Sequence, residues 1–342
     1  MVDVIVAVRN ETRMIAGKLS ELDAIEYPAD RLRFVIVDGG SSDGTIAAIT
    51  AHAASDARWQ ALLTNLASKT AQLNEGLARS EAPWVLVTDA DARVPADTLA
   101  RLVDEAVRYP RLGVVGTTIV PHQAHPLDAW HWRISNWIRC VERRVGGASG
   151  LVGAPCYLFR RDILDRFPED AVADDVHVVC RAAGLGARTG IVVGDVRELR
   201  VAGTTRDWFC HKVRRTLGYL REVFRFAPEL LRTAAPMRTV LLWRALALTM
   251  APAAGLVAGV LLISVVGLPW VAGLIVVLAA AGGIRSAPAT RRGGLQEAAA
   301  AAALPLWLLL ITLTALVLYP FVRQSASYSR FAWDAGKSDA CS

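Results

Sequence analysis

The sequence predicts an α/β protein with a mostly parallel sheet, followed by α-helical transmembrane segments. Three observations carry that prediction. Short apolar runs alternate with helical stretches through the first 230 residues, the pattern of βαβ units. Three long uncharged stretches then fill most of the last hundred residues. Between them lies a basic segment. From Arg197 to Arg238 there are ten Lys/Arg against four acids, an excess as large as the net charge of +6 of the whole chain. Positive charge just before apolar spans suits an anionic lipid surface or an anionic ligand. Nothing near it resembles a groove-reading module, which argues against nucleic acid.

Taken in order, Val2–Val8 reads as the first strand, and Arg9-Asn10-Glu11-Thr12 opens a helix to about Leu22. Phe34–Val37 is a second strand, ending at Asp38-Gly39-Gly40-Ser41-Ser42-Asp43-Gly44-Thr45. Glycines there permit tight turns, and Asp43 is placed to cap the helix from Thr45. Trp59–Leu63 is a third strand, and Lys69 to Ala78 a helix with Leu73 and Leu77 on one face. Val85–Thr88 is a buried strand that runs into Asp89-Ala90-Asp91, and Pro95 opens the next helix. Leu112–Val120 is a further strand.

The segment Leu127–Val145 interleaves Trp130, Trp132 and Trp137 with His131, Arg133, Arg139, Arg143 and Arg144. That composition suits a helix at a membrane interface or one packed on the sheet. A glycine-rich loop, Gly146–Gly153, precedes a strand at Cys156–Phe159. Asp174 to Ala183 is a helix opened by two acids, with Asp174 a candidate N-cap. Ile191–Val193 and Val196–Val201 read as short strands, and Asp207–Leu231 as a basic amphipathic helix or helix pair.

The uncharged stretches are Ala245–Val266, Gly267–Ile284 and Ala298–Val322, of 22, 18 and 25 residues. About 20 apolar residues span a bilayer core. Arg238 and Arg244 before the first, and Arg285, Arg291 and Arg292 between the second and third, place the large domain in the cytoplasm by the positive-inside rule. The expected division is a catalytic domain at 1–204, basic interface helices at 205–238, a transmembrane region at 239–323 and a tail at 324–342. Five scattered cysteines lack any C-x-x-C or zinc spacing, which suits reduced thiols. The chain opens on a strand, without a charged n-region or cleavage site. His122, His125 and His131 sit amid Pro and Trp and read as structural.

The acids carry the chemistry. Asp38, Asp89, Asp91 and the Asp174-Asp175 pair fall at strand ends or a helix start. In an open α/β sheet, ligands bind outside the carboxyl ends of the strands. Two carboxylates there suit a hard divalent cation shared with substrate phosphates. Lys69 and the basic segment around Arg214 supply positive charge for those phosphates.

These pieces together resemble family 2 glycosyltransferases of the GT-A fold, membrane-attached like the cellulose-synthase, hyaluronan-synthase and ceramide-glucosyltransferase relatives. The resemblance covers about Val2 to Tyr219. VIVAVRNE at Val4–Glu11 resembles the opening strand, and VDGGSSDGT at Val37–Thr45 the nucleotide loop. KTAQLNEGL at Lys69–Leu77 resembles K-x-x-A-L-N, and TDADARV at Thr88–Val94 the D-x-D. ADD at Ala173–Asp175 resembles T-E-D, and HKVRR at His211–Arg215 resembles Q-x-x-R-W.

The resemblance implies Asp175 as general base and Arg214 on the diphosphate. It implies Arg9, Glu11, Asp38, Lys69, Asp89 and Arg215 around the nucleotide sugar. Asp91, with Asp89, would hold Mg²⁺ or Mn²⁺. Arg215 replaces the family's Trp, for which Trp208 or Tyr219 is a candidate substitute. The implied activity is inverting transfer from a nucleotide-diphosphate sugar, UDP-linked by family habit, to a lipid or lipid-linked hydroxyl at the cytoplasmic membrane. A processive polysaccharide synthase and a non-catalytic sugar-nucleotide-binding module are the alternatives.

Overall fold

The computed structural model describes residues 1–122, 125–200, 202, 204–233, 235–267 and 291–322. Eight strands form one sheet: β1 (Val2–Val8), β2 (Leu32–Asp38), β3 (Trp59–Leu63), β4 (Trp84–Thr88), β5 (Ala92–Arg93), β6 (Leu112–Pro121), β7 (Cys156–Arg160) and β8 (Arg188–Glu198). Their order is β3-β2-β1-β4-β7-β6-β8-β5. The helices are α1 (Thr12–Asp23), α2 (Thr45–Ala53), α3 (Lys69–Arg79), α4 (Thr98–Arg108), α5 (Pro126–Gly146), α6 (Asp174–Gly184), α7 (Thr205–Arg225), α8 (Ala227–Leu230), α9 (Ala235–Val266) and α10 (Arg291–Val322).

Strand periodicity builds two cores, one on each face of the sheet. Ile5, Ala7, Val35, Val37, Val85 and Val87 point to one face, with Leu73 of α3, Val179 of α6 and Leu217 of α7. Val4, Val6, Phe34, Ile36 and Leu86 point to the other, with Leu19 of α1, Ile49 of α2 and Leu102 of α4. Burial on both faces explains why these strands read as continuous apolar runs instead of alternating ones.

The sheet is mixed, not mostly parallel. The β1–β2, β2–β3, β1–β4 and β6–β8 pairs are parallel. β7 runs antiparallel to both β4 and β6, and β5 antiparallel to β8. The cause is the glycine-rich loop. After α5 has returned the chain, the Ser149 amide bonds the Thr189 carbonyl at 2.8 Å. Further on, the Asp89 amide bonds the Pro155 carbonyl at 3.1 Å. The loop therefore crosses the sheet a second time, and β7 starts from the edge where β4 ends. This close approach needs glycine: a Cβ on Gly116 would sit 2.5 Å from Val152, and one on Gly153 2.6 Å from Ile119.

Three smaller corrections follow. β8 is one strand, where two short ones were expected. Gly44, at φ +89°, occupies the N-cap position of α2, while Asp43 still accepts from the Thr45 amide at 3.2 Å. Asp174 begins α6 but caps nothing; Ala173 holds that position.

Of the three uncharged stretches, Gly267–Ile284 lies almost wholly outside the described residues. Among the described residues, one helical stretch of 18 residues, Ala303–Pro320 of α10, is long and apolar enough to cross a membrane, with 28% of it buried. Of the two expected spans that fall within the described residues, one meets this measure, and the remaining expected span lies almost wholly outside them. α9 is a continuous helix whose Val257, Val260, Leu261 and Val265 are exposed. α10 lies along α7: Trp307 meets Trp208 and Phe209 at 6.4 and 5.8 Å, and Tyr319 meets Phe224 at 5.2 Å. In α5 the Trp residues divide, with Trp132 buried and Trp137 exposed.

Asp3 anchors the start of β1. It is buried and accepts from Arg33 at 2.8 Å, Ser80 at 2.7 Å, and the Glu81 and Ala82 amides at 3.0 Å each. Burial alone would raise its pKa, but these donors, Arg33 first, outweigh it and hold the carboxyl below its usual value. Its contribution is therefore present above the ordinary carboxylate pKa and lost as pH falls through the folded one. Asp3→Ala strands the donors and is expected to cost about 3 kcal/mol at neutral pH, and less in acid. Urea unfolding at two pH values checks both.

Candidate active site

β1, β2 and β4 run parallel, so Arg9 to Glu11, Asp38 and Asp89 all emerge at one edge of the sheet. Two lysines set the turn that carries Asp89 and Asp91. Lys18, fully buried in α1, donates to Thr88 Oγ1 at 3.0 Å and the Ala92 carbonyl at 3.2 Å, and pairs with Glu21 at 2.8 Å. Lys69, the first residue of α3, pairs with Asp89 at 2.8 Å and with Asp174 at 3.0 Å. Burial would lower its pKa, but Asp174 and Asp89 more than reverse that and hold it well above the usual lysine value. Tyr157 donates to the other Asp174 oxygen at 2.7 Å. Asp174 is thus consumed in fixing the site.

Asp175, the next residue, is half-buried. Burial first, then the Asp174 charge, push its pKa up to about 6, against the opposing fields of Arg215 and Lys69. A carboxyl of this kind is ionised at neutral pH yet basic enough to take a proton. Asp91 is also raised to about 6, by burial and then by Asp89, against Arg200.

Two residues beside Asp91 escaped the sequence reading. β5 pairs with the end of β8, Ala92 opposite Glu198, and the Leu199 amide bonds the Asp91 carbonyl at 2.9 Å. Arg200 then pairs with Glu11 at 2.6 Å and reaches Asp91 at 3.6 Å. Glu198 is buried, its pKa raised chiefly by that burial, and Arg215 lies 3.6 Å from it. Glu198 and Arg200 are two apart at a strand end, the one local signal that could have found them.

Asp38 is buried, and its carboxylate accepts from the Gly40 and Ser41 amides at 2.9 and 2.7 Å and from the Ser41 hydroxyl at 2.5 Å. It shapes its own loop. Asn10, at φ +54°, ties the first loop to that one: its amide bonds Ser41 Oγ at 2.8 Å and its side chain accepts from the Ser42 amide at 2.9 Å. Glu11 is held there too, its amide on Thr45 Oγ1 at 2.8 Å. Arg9 is half-buried at the end of β1. Asn74 bonds the Phe167 amide at 2.7 Å and carbonyl at 2.9 Å, tying α3 to the chain that leads to α6.

α7 presents Lys212 and Arg215 to the site. Lys212 is buried, pairs with Asp128 at 2.7 Å, and has its pKa lowered by burial. Arg214 is half-buried on the same helix, and its field helps hold His211 well below the usual histidine value, after burial and Arg215. Trp208 and Tyr219 are buried, and Trp208 Nε1 donates to Asp128 at 3.1 Å. Neither ring is open to the cleft as a substitute for the family's Trp.

The residues fit a divalent ion as two carboxylates at a strand end fit one: Asp89 and Asp91 crowd Glu198 and Glu11, and that excess of acids opposes Asp91's ionisation. Among the described residues no group of three His, Cys, Asp or Glu side chains is arranged to hold a metal. Asp89 and Asp91 would hold such an ion together with phosphate oxygens of a substrate.

Residues 3–167, just under half of the chain, match Glycosyl transferase family 2. The chain is 25% identical over 257 residues to an N-acetylglucosaminyltransferase of Rhizobium meliloti (strain 1021), covering 69% of this chain and 59% of the relative. It is 35% identical over 101 residues to a beta-monoglucosyldiacylglycerol synthase of Synechocystis sp., covering 29% and 21%. The chain thus spans less than two thirds of these relatives. The fold matches the mannosyltransferase PcManGT from Pyrobaculum calidifontis, solved with GDP-Man and Mn²⁺, at a TM-score of 0.66 and 25% identity over 94% of this chain and 88% of that one. The fold is GT-A-like.

Lys69→Met removes the cation between Asp89 and Asp174. Because the Lys69 pKa is raised, its contribution is fully present below the ordinary lysine value and is lost only as pH rises through the folded one. The variant is therefore expected to cost about 3 kcal/mol at neutral pH, and an unchanged urea midpoint there would contradict the clamp.

Proposed function

We propose that the protein is a membrane-anchored, inverting glycosyltransferase that moves a sugar from a nucleotide-diphosphate sugar to a hydroxyl of a lipid or lipid-linked acceptor. The observation that carries this reading is Asp175: a half-buried carboxyl tuned to about pH 6, beside Lys69, Asp174 and Arg215 at the ligand-binding edge of the sheet. The family match supports it. The candidate span Ala303–Pro320 and the exposed apolar side chains of α9 support the membrane anchor. The basic segment from Arg197 to Arg238 supports a cytoplasmic catalytic domain at 1–204, interface helices at 205–238 and a membrane region at 239–323.

In this reading Asp38, Arg9 and Glu11 shape the nucleotide's loops. Lys69 sets Asp89 toward the sugar nucleotide, and Arg214 and Arg215 face the diphosphate. Asp91 and Asp89 would hold Mg²⁺ or Mn²⁺, which when bound neutralises phosphate charge. The acceptor oxygen bonds the anomeric carbon as that carbon's bond to the diphosphate oxygen breaks. The electron pair leaves on the nucleoside diphosphate, and the acceptor proton passes to Asp175. Arg215 is placed to balance the charge that grows on the leaving group. UDP is the family's usual carrier, while the PcManGT structure was solved with GDP-Man; a screen of both sugar classes with membrane lipid, read by mass spectrometry, decides donor and acceptor.

A polymer product is the second reading. It is favoured by 25% identity over 182 residues to a poly-beta-1,6-N-acetyl-D-glucosamine synthase of Staphylococcus epidermidis, covering 51% of this chain and 43% of the relative. Product length separates the two.

Asp175→Asn is expected to lower transfer by roughly a hundredfold or more while donor binding, read by calorimetry, persists. The base works ionised, so wild-type activity should rise with pH through about 6; a pH–rate profile flat between 5 and 8 contradicts the assignment. Asp91→Ala should abolish the difference in nucleotide affinity seen with and without EDTA. An unchanged EDTA response in that variant removes the metal role.

A further inference from the structure

The sheet has a second end. β8 meets the site at Glu198 but starts at Arg188, about 30 Å of strand away. There, where β6 and β8 begin side by side, four arginines line one open groove of about 360 Å³: Arg108, Arg111, Arg143 and Arg188.

Local structure converges them. Arg108 and Arg143 lie in the last turns of α4 and α5, where a cation suits the helix dipole. Arg111 and Arg188 have no such reason to be there. They stand at the entries of two paired strands, with the Arg188 amide on the Arg111 carbonyl at 2.8 Å. Arg143 lies over the Tyr109 ring, 4.5 Å from its centroid, and donates to the Gly147 carbonyl at 3.3 Å. Gly147 ends α5 at φ +67°, and a Cβ on it would lie 3.2 Å from Arg188 Nη1. This glycine thus brings the guanidinium groups of Arg143 and Arg188 to one residue.

The charges in the groove are unbalanced. No acid lines it. Glu105 is spent on Arg143, at 2.7 Å. Asp104 is exposed and, among the described residues, forms no ion pair with Arg108. Among the described residues the side chains of Arg108, Arg111 and Arg188 make no hydrogen bond or ion pair. Arg143 Nε is buried and also lacks a hydrogen-bond partner. Arginine does not shed its charge in a protein, so four cations face one groove with Glu105 alone to offset them. Like charges gathered in one concavity raise its potential and draw in anions.

We propose that this groove is a second anion site, remote from the catalytic edge, which receives the phosphate group of a small monoester, free or at the head of a lipid. Guanidinium groups present paired donors in one plane to phosphate oxygens. Arg111 and Arg188 supply them, and Arg143 is held ready by Glu105 and Tyr109. The exposed Tyr109 ring offers the ester's organic part an apolar wall. The volume is at the low end for ligand pockets, which suits a small ester. The inference stands apart from the transfer reading, because it concerns the opposite end of the sheet and is tested by binding alone.

The test uses the full chain in detergent, at low salt with EDTA, and reads binding of glycerol 3-phosphate by calorimetry. Arg111→Gln and Arg188→Gln should each weaken that binding about tenfold or more, while Arg215→Gln leaves it within twofold. Binding unchanged in both groove variants, or lost only in Arg215→Gln, places the anion at the catalytic edge and overturns the proposal. Thermal unfolding separates a ligand role from a structural one. Without the anion, Arg111→Gln and Arg188→Gln relieve repulsion and should unfold no lower than wild type. With it, wild type should gain stability that both variants lose. Variants that unfold lower without the anion and still bind it at wild-type affinity overturn the site. Dihexanoyl phosphatidic acid distinguishes the two sources. Binding at least about tenfold tighter than glycerol 3-phosphate supports the site with a lipid head as its ligand, and equal binding supports it with a free phosphate ester.

Discussion

The site depends on one half-buried cation between two acids. Lys69 holds Asp89, from the end of β4, and Asp174, from the start of α6, within 3.0 Å of a single ammonium. These acids lie far apart in the chain and on different elements. Without the cation they would repel across a poorly solvated space. With it, Asp174 is spent as a strut, also gripped by Tyr157, and its neighbour Asp175 is left in the field of both charges. The tuning of Asp175 thus follows from the fixing of Asp174.

A second lysine works from beneath. Lys18 spans from α1 to Thr88 and Ala92, the residues on either side of the Asp89–Asp91 turn. Fully buried lysines are rare unless paired, and this one is paired with Glu21 and bonded to the turn. The turn is further pinned by β5 against β8, which brings Glu198 and Arg200 to Asp91. The acid-rich cleft is therefore preorganised from three sides before any ligand enters.

The same logic explains the basic side. α7 is held against the domain by Trp208 and Leu217 in the core and covered outside by α10 through Trp307 and Tyr319. That packing turns Lys212 and Arg215 inward. α5 supplies Trp132, Asp128 and Arg139 to meet them. An apolar helix and a catalytic wall are in this way one assembly, which couples the site to the part of the chain most suited to a membrane.

Strand existence, helix existence and the acidic turns were legible in the sequence because each is local: apolar runs, turn glycines and capping residues act over a few positions. The strands Val2–Val8 and Trp59–Leu63 were read at their observed bounds for that reason, and the strand Trp84–Thr88 to within one residue. What the tertiary structure alone decided was pairing. β7 is antiparallel because a glycine-rich loop recrosses the sheet, a matter of Gly116 and Gly153 meeting Val152 and Ile119. Asp38 turned out to serve its own loop, Asp174 a lysine, and Glu198 and Arg200 entered the site from distant segments. Residue type announces that a charge needs a partner; which partner it has is settled by contacts between elements far apart in the chain, and no spacing along the chain encodes those distances.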